Sequence, residues 1–183
     1  LARAILLMLL ALSGSMFLQY FFVSGLQQRS AQVQHYDLFR DQVAEGTAPI
    51  GPTSNSGDPV QLGDPVAMLE IPTIDVEQVV LEGTTAGVLL DGPGHRRDTV
   101  LPGQIGTSVL YGRRSSYGGP FGSLDKLRLN DLIRVTTGQG VFEYRVIGLR
   151  VEGSPLPAPV AAGGSRIVLT TAGGSTLFPN GVL

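Results

Sequence analysis

Side chains able to do covalent chemistry are scarce in this sequence. There is no cysteine, which excludes a thiolate nucleophile, a thiolate metal site and a disulfide. The two histidines, His35 and His95, lie far apart along the chain and do not by themselves make a zinc site. No metal and no cofactor is expected. Hydroxyls gather at Thr170, Thr171 and Ser175, but a hydroxyl nucleophile needs a base to activate it. Adjacent arginines stand at Arg113 and Arg114. They read either as solvated charges on a surface turn or, for Arg113, as a group that fills a cleft and binds a carboxylate there. Neither can act as a base, because arginine stays protonated. Arg113, Arg114 and Thr171 are the candidate binding residues.

Residues 1–26 form the first element. Ala4 to Leu26 is uncharged and almost wholly apolar, with Gln19 the main polar exception. Its length suits the roughly 20 residues needed to cross about 30 Å of hydrocarbon. A cleaved signal peptide is the alternative, but the run is long for an h-region and no clean A-x-A site follows. The expectation is a transmembrane anchor in the lipid bilayer. Ser13, Gly14 and Ser15 give it a small face that another helix could approach.

Residues 27–46 continue as a juxtamembrane helix. Val33, Tyr36, Phe39 and Val43 recur at helical spacing and predict one apolar stripe. That stripe is expected to meet either the chain's own domain or a membrane partner. Arg29, Gln34, Asp37 and Asp41 take the other face, and His35 is expected to be solvated. Gly46 is a plausible stop. Residues 47–64, with Pro49, Gly51, Pro52, Gly57, Pro59 and Gly63, read as a linker.

Residues 65–183 carry the main domain. Brief strand signals occur at Ala67 to Ile71, Gln78 to Leu81, Thr107 to Tyr111, Leu132 to Thr137, Val141 to Val151 and Arg166 to Thr171. Phe142, Tyr144 and Val146 alternate with polar neighbours, the period of a half-buried strand. Only Phe121 to Leu127 reads as a short helix. Short strands at close spacing between glycines and prolines predict a mainly β fold closed into a barrel.

The formal charge of −2 and pI near 5.6 exclude nucleic acid as a partner, since phosphate binding needs a basic face. Lys126 is the sole lysine among 13 basic residues, a weak hint of a GC-rich genome. Leu1 stands almost at the start of the anchor, and Gly181-Val182-Leu183 reads like the opening of a strand. Both ends are therefore expected to continue in the natural chain.

The ordered motifs resemble the sortase family, most nearly its class E, housekeeping-like type from actinobacteria. Met68-Leu69-Glu70-Ile71-Pro72 resembles the entry strand, and Leu81-Glu82-Gly83-Thr84 the next landmark. Gly92-Pro93-Gly94-His95, Thr99 and Leu101-Pro102-Gly103-Gln104-Ile105-Gly106 follow in the family's order. Tyr117-Gly118, Pro120-Phe121 and Leu124-Asp125-Lys126-Leu127 come next, then Leu169-Thr170-Thr171. Each motif is weak alone, and the ordered set is specific.

The resemblance implies a sortase-type barrel outside a plasma-membrane anchor, in a single-pass topology. It also implies three catalytic groups: a cysteine nucleophile, a histidine that moves protons and an arginine that stabilises the oxyanion. At the matching positions this chain has Ala172 for cysteine, Arg113 for histidine and, by ungapped count, Gly181 for arginine. His95 falls in a loop that is not catalytic in the family, which makes it a turn or packing residue. Neither histidine maps beside the hydroxyls of Thr170, Thr171 or Ser175. The reading is a catalytically inactive sortase-like protein, a non-catalytic subunit or docking module of an envelope membrane complex such as a transporter or secretion machine. A peptide-binding module is the second reading, and an active cysteine-independent transpeptidase the last. The resemblance further predicts that Arg113 faces Ala172 across the old site. It predicts too that the strand of Phe142 to Val146 neighbours that of Ile167 to Thr171.

Overall fold

The computed structural model describes residues 2–53, 57–151, 153–155, 157–174 and 179–182. It opens with one continuous helix, α1 (Ala2–Glu45), of 44 residues. At about 1.5 Å per residue this is roughly 66 Å long. By length and composition it can cross a membrane, and it runs unbroken through residues 26 and 27. Gly46 ends it at φ 68, with Thr47 N–H on the Gln42 carbonyl at 2.8 Å. The left-handed turn satisfies carbonyls the last helical turn would otherwise leave open.

A seven-stranded sheet follows, built from β1 (Pro65–Ile71), β2 (Val76–Glu82), β3 (Gly94–His95), β4 (Gly106–Tyr111), β5 (Leu132–Thr137), β6 (Gly140–Arg145) and β7 (Ser165–Thr170). The spatial order is β6-β5-β1-β2-β3-β4-β7. β1–β2 and β5–β6 are antiparallel hairpins, whereas β2–β3 and β4–β7 are parallel. A short helix, α2 (Val88–Asp91), lies between β2 and β3. The sheet curls around Val66, Leu69, Ile71, Val80, Leu110, Phe121, Ile133 and Val135, which share one buried core.

The result is a nearly closed barrel. β6 and β7 are the two ends of the sheet, so the expected neighbouring strands do not pair through the backbone. They meet at a seam of side chains. Tyr144 Oη bonds Ser165 Oγ at 2.8 Å and also accepts from Gly103 N–H at 2.9 Å. Tyr144, Ile167 and Leu169 pack on the same core. The run expected to extend to Val151 stops at Arg145. Val146 then turns its N–H to the Asp131 carbonyl and is buried. The expected helix at Phe121 to Leu127 contracts to a single 3-10 turn, Leu124–Lys126.

β1, and β2 from Val79 onward, are buried on both faces, which explains the apolar runs there. Leu69 and Val80 point into the barrel, while Met68, Val79 and Leu81 form an outer cluster with Phe39, Ala48 and Val88. α1 therefore lies on the outside of the barrel. Of the predicted stripe only Phe39 is buried, at 4% exposed. Val33 is 62% exposed, and Tyr36 and Val43 are also open to solvent. The face that docks is instead Ser24, Gln28, Gln32, His35 and Phe39, at helical spacing but mostly polar. Phe39 is thus part of the chain's own core and not free for a partner.

Gln32 explains how a polar face can dock. Its Oε1 accepts from Val79 N–H at 2.7 Å, and its Nε2 donates to the carbonyls of Val79 at 3.1 Å and Asp91 at 2.9 Å. β3 is too short to pair with β2 at Val79, and the side-chain amide takes the place of a strand there. Gly92 leaves room for it, since a Cβ at that position would overlap Gln32. Gln28 Nε2 adds a bond to Gln78 Oε1 at 2.6 Å.

Candidate functional site

The site is set by the parallel pairing of β4 and β7. Their register runs from Gly106↔Ser165 to Tyr111↔Thr170, so the residues after each strand emerge side by side. These are Gly112-Arg113-Arg114 and Thr171-Ala172. Gly112 N–H donates to the Thr170 carbonyl at 3.0 Å, and Thr171 Oγ1 donates to the Gly112 carbonyl at 2.9 Å. The Phe121 ring occupies the space a Cβ on Gly112 would need. Only glycine lets the two segments close over that ring.

Successive side chains of an extended segment point to opposite sides, and the adjacent arginines diverge accordingly. Arg114 turns inward and is buried. Its Nη1 donates to the Ala172 carbonyl at 3.3 Å and its Nη2 lies 3.2 Å from Asp125 Oδ2. Its Nε is buried with no hydrogen-bond partner among the described residues. Arg113 turns outward. Its Nε donates to the Leu89 carbonyl at 2.9 Å, its Nη1 to Ser116 Oγ at 3.3 Å, and its Nη2 reaches the Ala86 carbonyl at 3.4 Å. Its guanidinium lies 5.1 Å from the Tyr117 ring centroid. Arg114, not Arg113, is therefore the residue whose side chain reaches Ala172, and it is not a solvated surface charge.

Ala172 begins β8 (Ala172–Gly174), which pairs with β9 (Pro179–Val182) through Ala172↔Val182. Gly181 lies in β9, next to the residue paired with Ala172. The hairpin thus brings positions 172 and 181 together. Ser175 lies outside the described residues. Thr171 is buried and spends its proton on a carbonyl, a bond that fixes the strand ends. The small face Ser13, Gly14 and Ser15 is exposed, and a Cβ on Gly14 would meet nothing within 4 Å.

His95 is buried in β3 as a packing residue. Its Nδ1 sits 2.8 Å from Glu82 Oε2, and its Nε2 faces the Val100 carbonyl at 3.0 Å and Thr99 Oγ1 at 3.1 Å. Arg97 Nε contacts the other Glu82 oxygen at 3.3 Å. The pair ties β2, β3 and the following loop together. His35 is half-buried against the barrel, not solvated. Burial lowers its pKa below the usual histidine value, opposed in part by the charges of Asp91 and Asp64. Among the described residues no group of three His, Asp or Glu is placed to hold a metal ion.

Gln28, Gln32 and the inward role of Arg114 are missed by periodicity. The available signal is the polar spacing Ser24, Gln28, Gln32 and His35, which no apolar template scores.

Residues 69–176 match the sortase domain family. Sortase D of Bacillus subtilis (strain 168) is 33% identical over 91 residues, half of this chain and 44% of the relative. Sortase SrtE1 of Streptomyces coelicolor is 32% identical over 126 residues, 60% of this chain and 36% of the relative. The chain thus spans less than half the length of either relative. Among solved structures, sortase E from Streptomyces avermitilis superposes with a TM-score of 0.52 at 33% identity, covering 61% of this chain and 81% of that one. SrtF sortase from Corynebacterium diphtheriae shares the fold, with a TM-score of 0.57 at 23% identity over 67% of this chain and 82% of that one.

Proposed function

The chain belongs to the sortase family, and we propose that it acts there as a non-catalytic, membrane-held docking subunit of an envelope complex, not as a transpeptidase. The observation that carries this reading is the make-up of the β4–β7 end. Ala172 supplies no nucleophile, and Arg113 cannot exchange a proton at any relevant pH. The nearby hydroxyl of Thr171 and the guanidinium of Arg114 are committed to internal contacts. Nucleophilic and acid–base groups typically supply orders of magnitude each, so their joint loss removes most of the rate. What such a chain retains is binding surface: an apolar helix, exposed aliphatics along it, and an outer barrel face.

In this reading α1 anchors the chain in the plasma membrane with a single pass, and the barrel lies on the extracytoplasmic side. The partner is another membrane or envelope protein, such as an exporter component. A peptide-binding module is the second reading. It is favoured by one observation, the Arg114 guanidinium set against Ala172, whose Nε has no hydrogen-bond partner among the described residues and would have to turn outward to donate to a peptide in the old groove.

The test is direct. The purified protein is incubated with LPxTG- and LAxTG-like peptides and an amine acceptor. No product above a heat-killed control is expected, and enzyme-dependent cleavage or transfer would overturn the proposal. Peptide binding without turnover would select the second reading.

A further inference from the structure

The loop after β4 does not point away from the helix. Tyr117 lines a cleft of about 320 Å³ together with Met16, Gln19, Val23, Ser24 and Gln27 of α1. Gly118, at φ +73, sits so close to the helix that a Cβ there would meet Gln28 Oε1 at 2.6 Å. The barrel is thus seated on the upper turns of the apolar run itself. Most of the described apolar side chains on those turns are exposed. Met16 is 65% and Leu18 72% exposed, and Phe22 and Val23 are similarly open. A contiguous apolar patch of this kind marks a membrane or partner contact.

Depth follows from helical rise. Ala4 to Leu26 measures about 34 Å at 1.5 Å per residue, close to the thickness of a hydrocarbon core. If that run spans the bilayer, Ser24 and Gln27 lie at its boundary. The cleft runs from Met16, about 15 Å below Leu26 at that rise, up to Gln27, and Gly118 abuts Gln28 just past the end of the run, so Tyr117 enters the cleft from its boundary end. Tyrosine is enriched at that level because its ring is apolar and its hydroxyl polar. Arg113 stacks on Tyr117 and uses three of its N–H donors within the protein, leaving two of its five for an outside acceptor. Guanidinium matches phosphate geometry.

We propose that the segment Arg113 to Gly119 is a membrane-resting element: Tyr117 sits at the acyl–headgroup boundary and Arg113 binds a phospholipid phosphate. The loop that begins at the old catalytic histidine position would then hold the barrel against the bilayer surface. This rests on the reading of α1 as a membrane span, and the experiment separates the two.

The chain contains no tryptophan and no cysteine, so single reporters are clean. Full-length Leu10→Trp and Tyr117→Trp are reconstituted in vesicles of phosphatidylcholine and phosphatidylglycerol. One set carries bromine high on the acyl chains and another carries it near their ends. The span reading predicts loss of fluorescence for Leu10→Trp, greatest with deep bromine. The proposal predicts loss for Tyr117→Trp, greatest with shallow bromine. Quenching of Leu10→Trp without quenching of Tyr117→Trp overturns the proposal alone. Stronger quenching of Tyr117→Trp by deep bromine overturns the phosphate contact. No quenching of Leu10→Trp by either set overturns the span and the proposal together. A nitroxide on Ser115→Cys, which leaves Tyr117 in place, repeats the depth measurement: protection from a water-soluble relaxant supports the proposal, and full accessibility overturns it.

Discussion

Arg114 and Ala172 are joined by a bond from guanidinium Nη1 to a backbone carbonyl at 3.3 Å. A buried cation therefore lies against the position where a sortase nucleophile is expected. Its counter-charge, Asp125, is half-exposed at 50%. The two partners of this ion pair are thus unequal in what they lose if separated.

That inequality predicts a stability difference. Asp125→Ala leaves Arg114 buried without its counter-charge, and should cost about 3 kcal/mol. Arg114→Met leaves Asp125 free to take up water, and should cost about 1 kcal/mol. Urea denaturation of both variants checks the order. Equal costs would mean that Asp125 contributes no more than a surface charge.

Under the proposed non-catalytic reading, gaining transpeptidase activity should need more than the two obvious replacements. The double variant Arg113→His, Ala172→Cys supplies a thiol and an imidazole, which must turn from the outward direction of Arg113 to act as its base, but no oxyanion donor. Adding Gly181→Arg should raise peptide cleavage by about 10²-fold, the usual worth of one such donor. Steady-state rates for the double and triple variants decide it. A double variant as fast as the triple would show that Gly181 does not stand at the family's arginine position.

What the sequence revealed divides along physical lines. The barrel was legible because strands buried on one face alternate and strands buried on both are continuously apolar, as in Phe142 to Tyr144 and Ala67 to Leu69. The juxtaposition of residues 112–114 with 170–172 was legible through motif order. Which arginine turns inward was not, because alternation along an extended segment has a phase that motif matching does not fix. The docking face of α1 was not legible either. Gln32 docks by hydrogen-bonding the open edge of β2, and such bonding leaves no hydrophobic period to detect. Gln32→Ala should expose Val79 N–H and cost about 2 kcal/mol, with faster hydrogen exchange at Val79 as the local readout.

The predicted stripe separates cleanly by burial. Phe39→Ala should cost about 3 kcal/mol because it empties a site among Met68, Val79, Leu81 and Val88. Val33→Asp and Tyr36→Asp should change stability by less than about 0.5 kcal/mol, since both residues are exposed. Thermal denaturation in detergent measures all three. If co-purification from native membranes recovers a partner, Val33→Asp is the variant that should weaken it without unfolding the barrel.

His35 makes helix docking pH-dependent, and the sign is fixed by the direction of its shift. Burial against the barrel disfavours its charged form and lowers its pKa below 6.5. Asp91 and Asp64 oppose this through their charges but do not cancel it. The folded state therefore binds fewer protons than the unfolded state in this range. The stability that His35 allows is complete above pH 6.5 and is lost as pH falls from there through the folded-state value. Denaturation midpoints measured between pH 7.5 and 5, about the window around the ordinary histidine value, should decline toward acid. His35→Gln cannot charge and should flatten that decline, while the exposed Arg96–Asp98 pair, present in both proteins, cancels in the comparison. An unchanged slope in His35→Gln would show that the histidine leaves the helix face to take up its proton at no cost to docking.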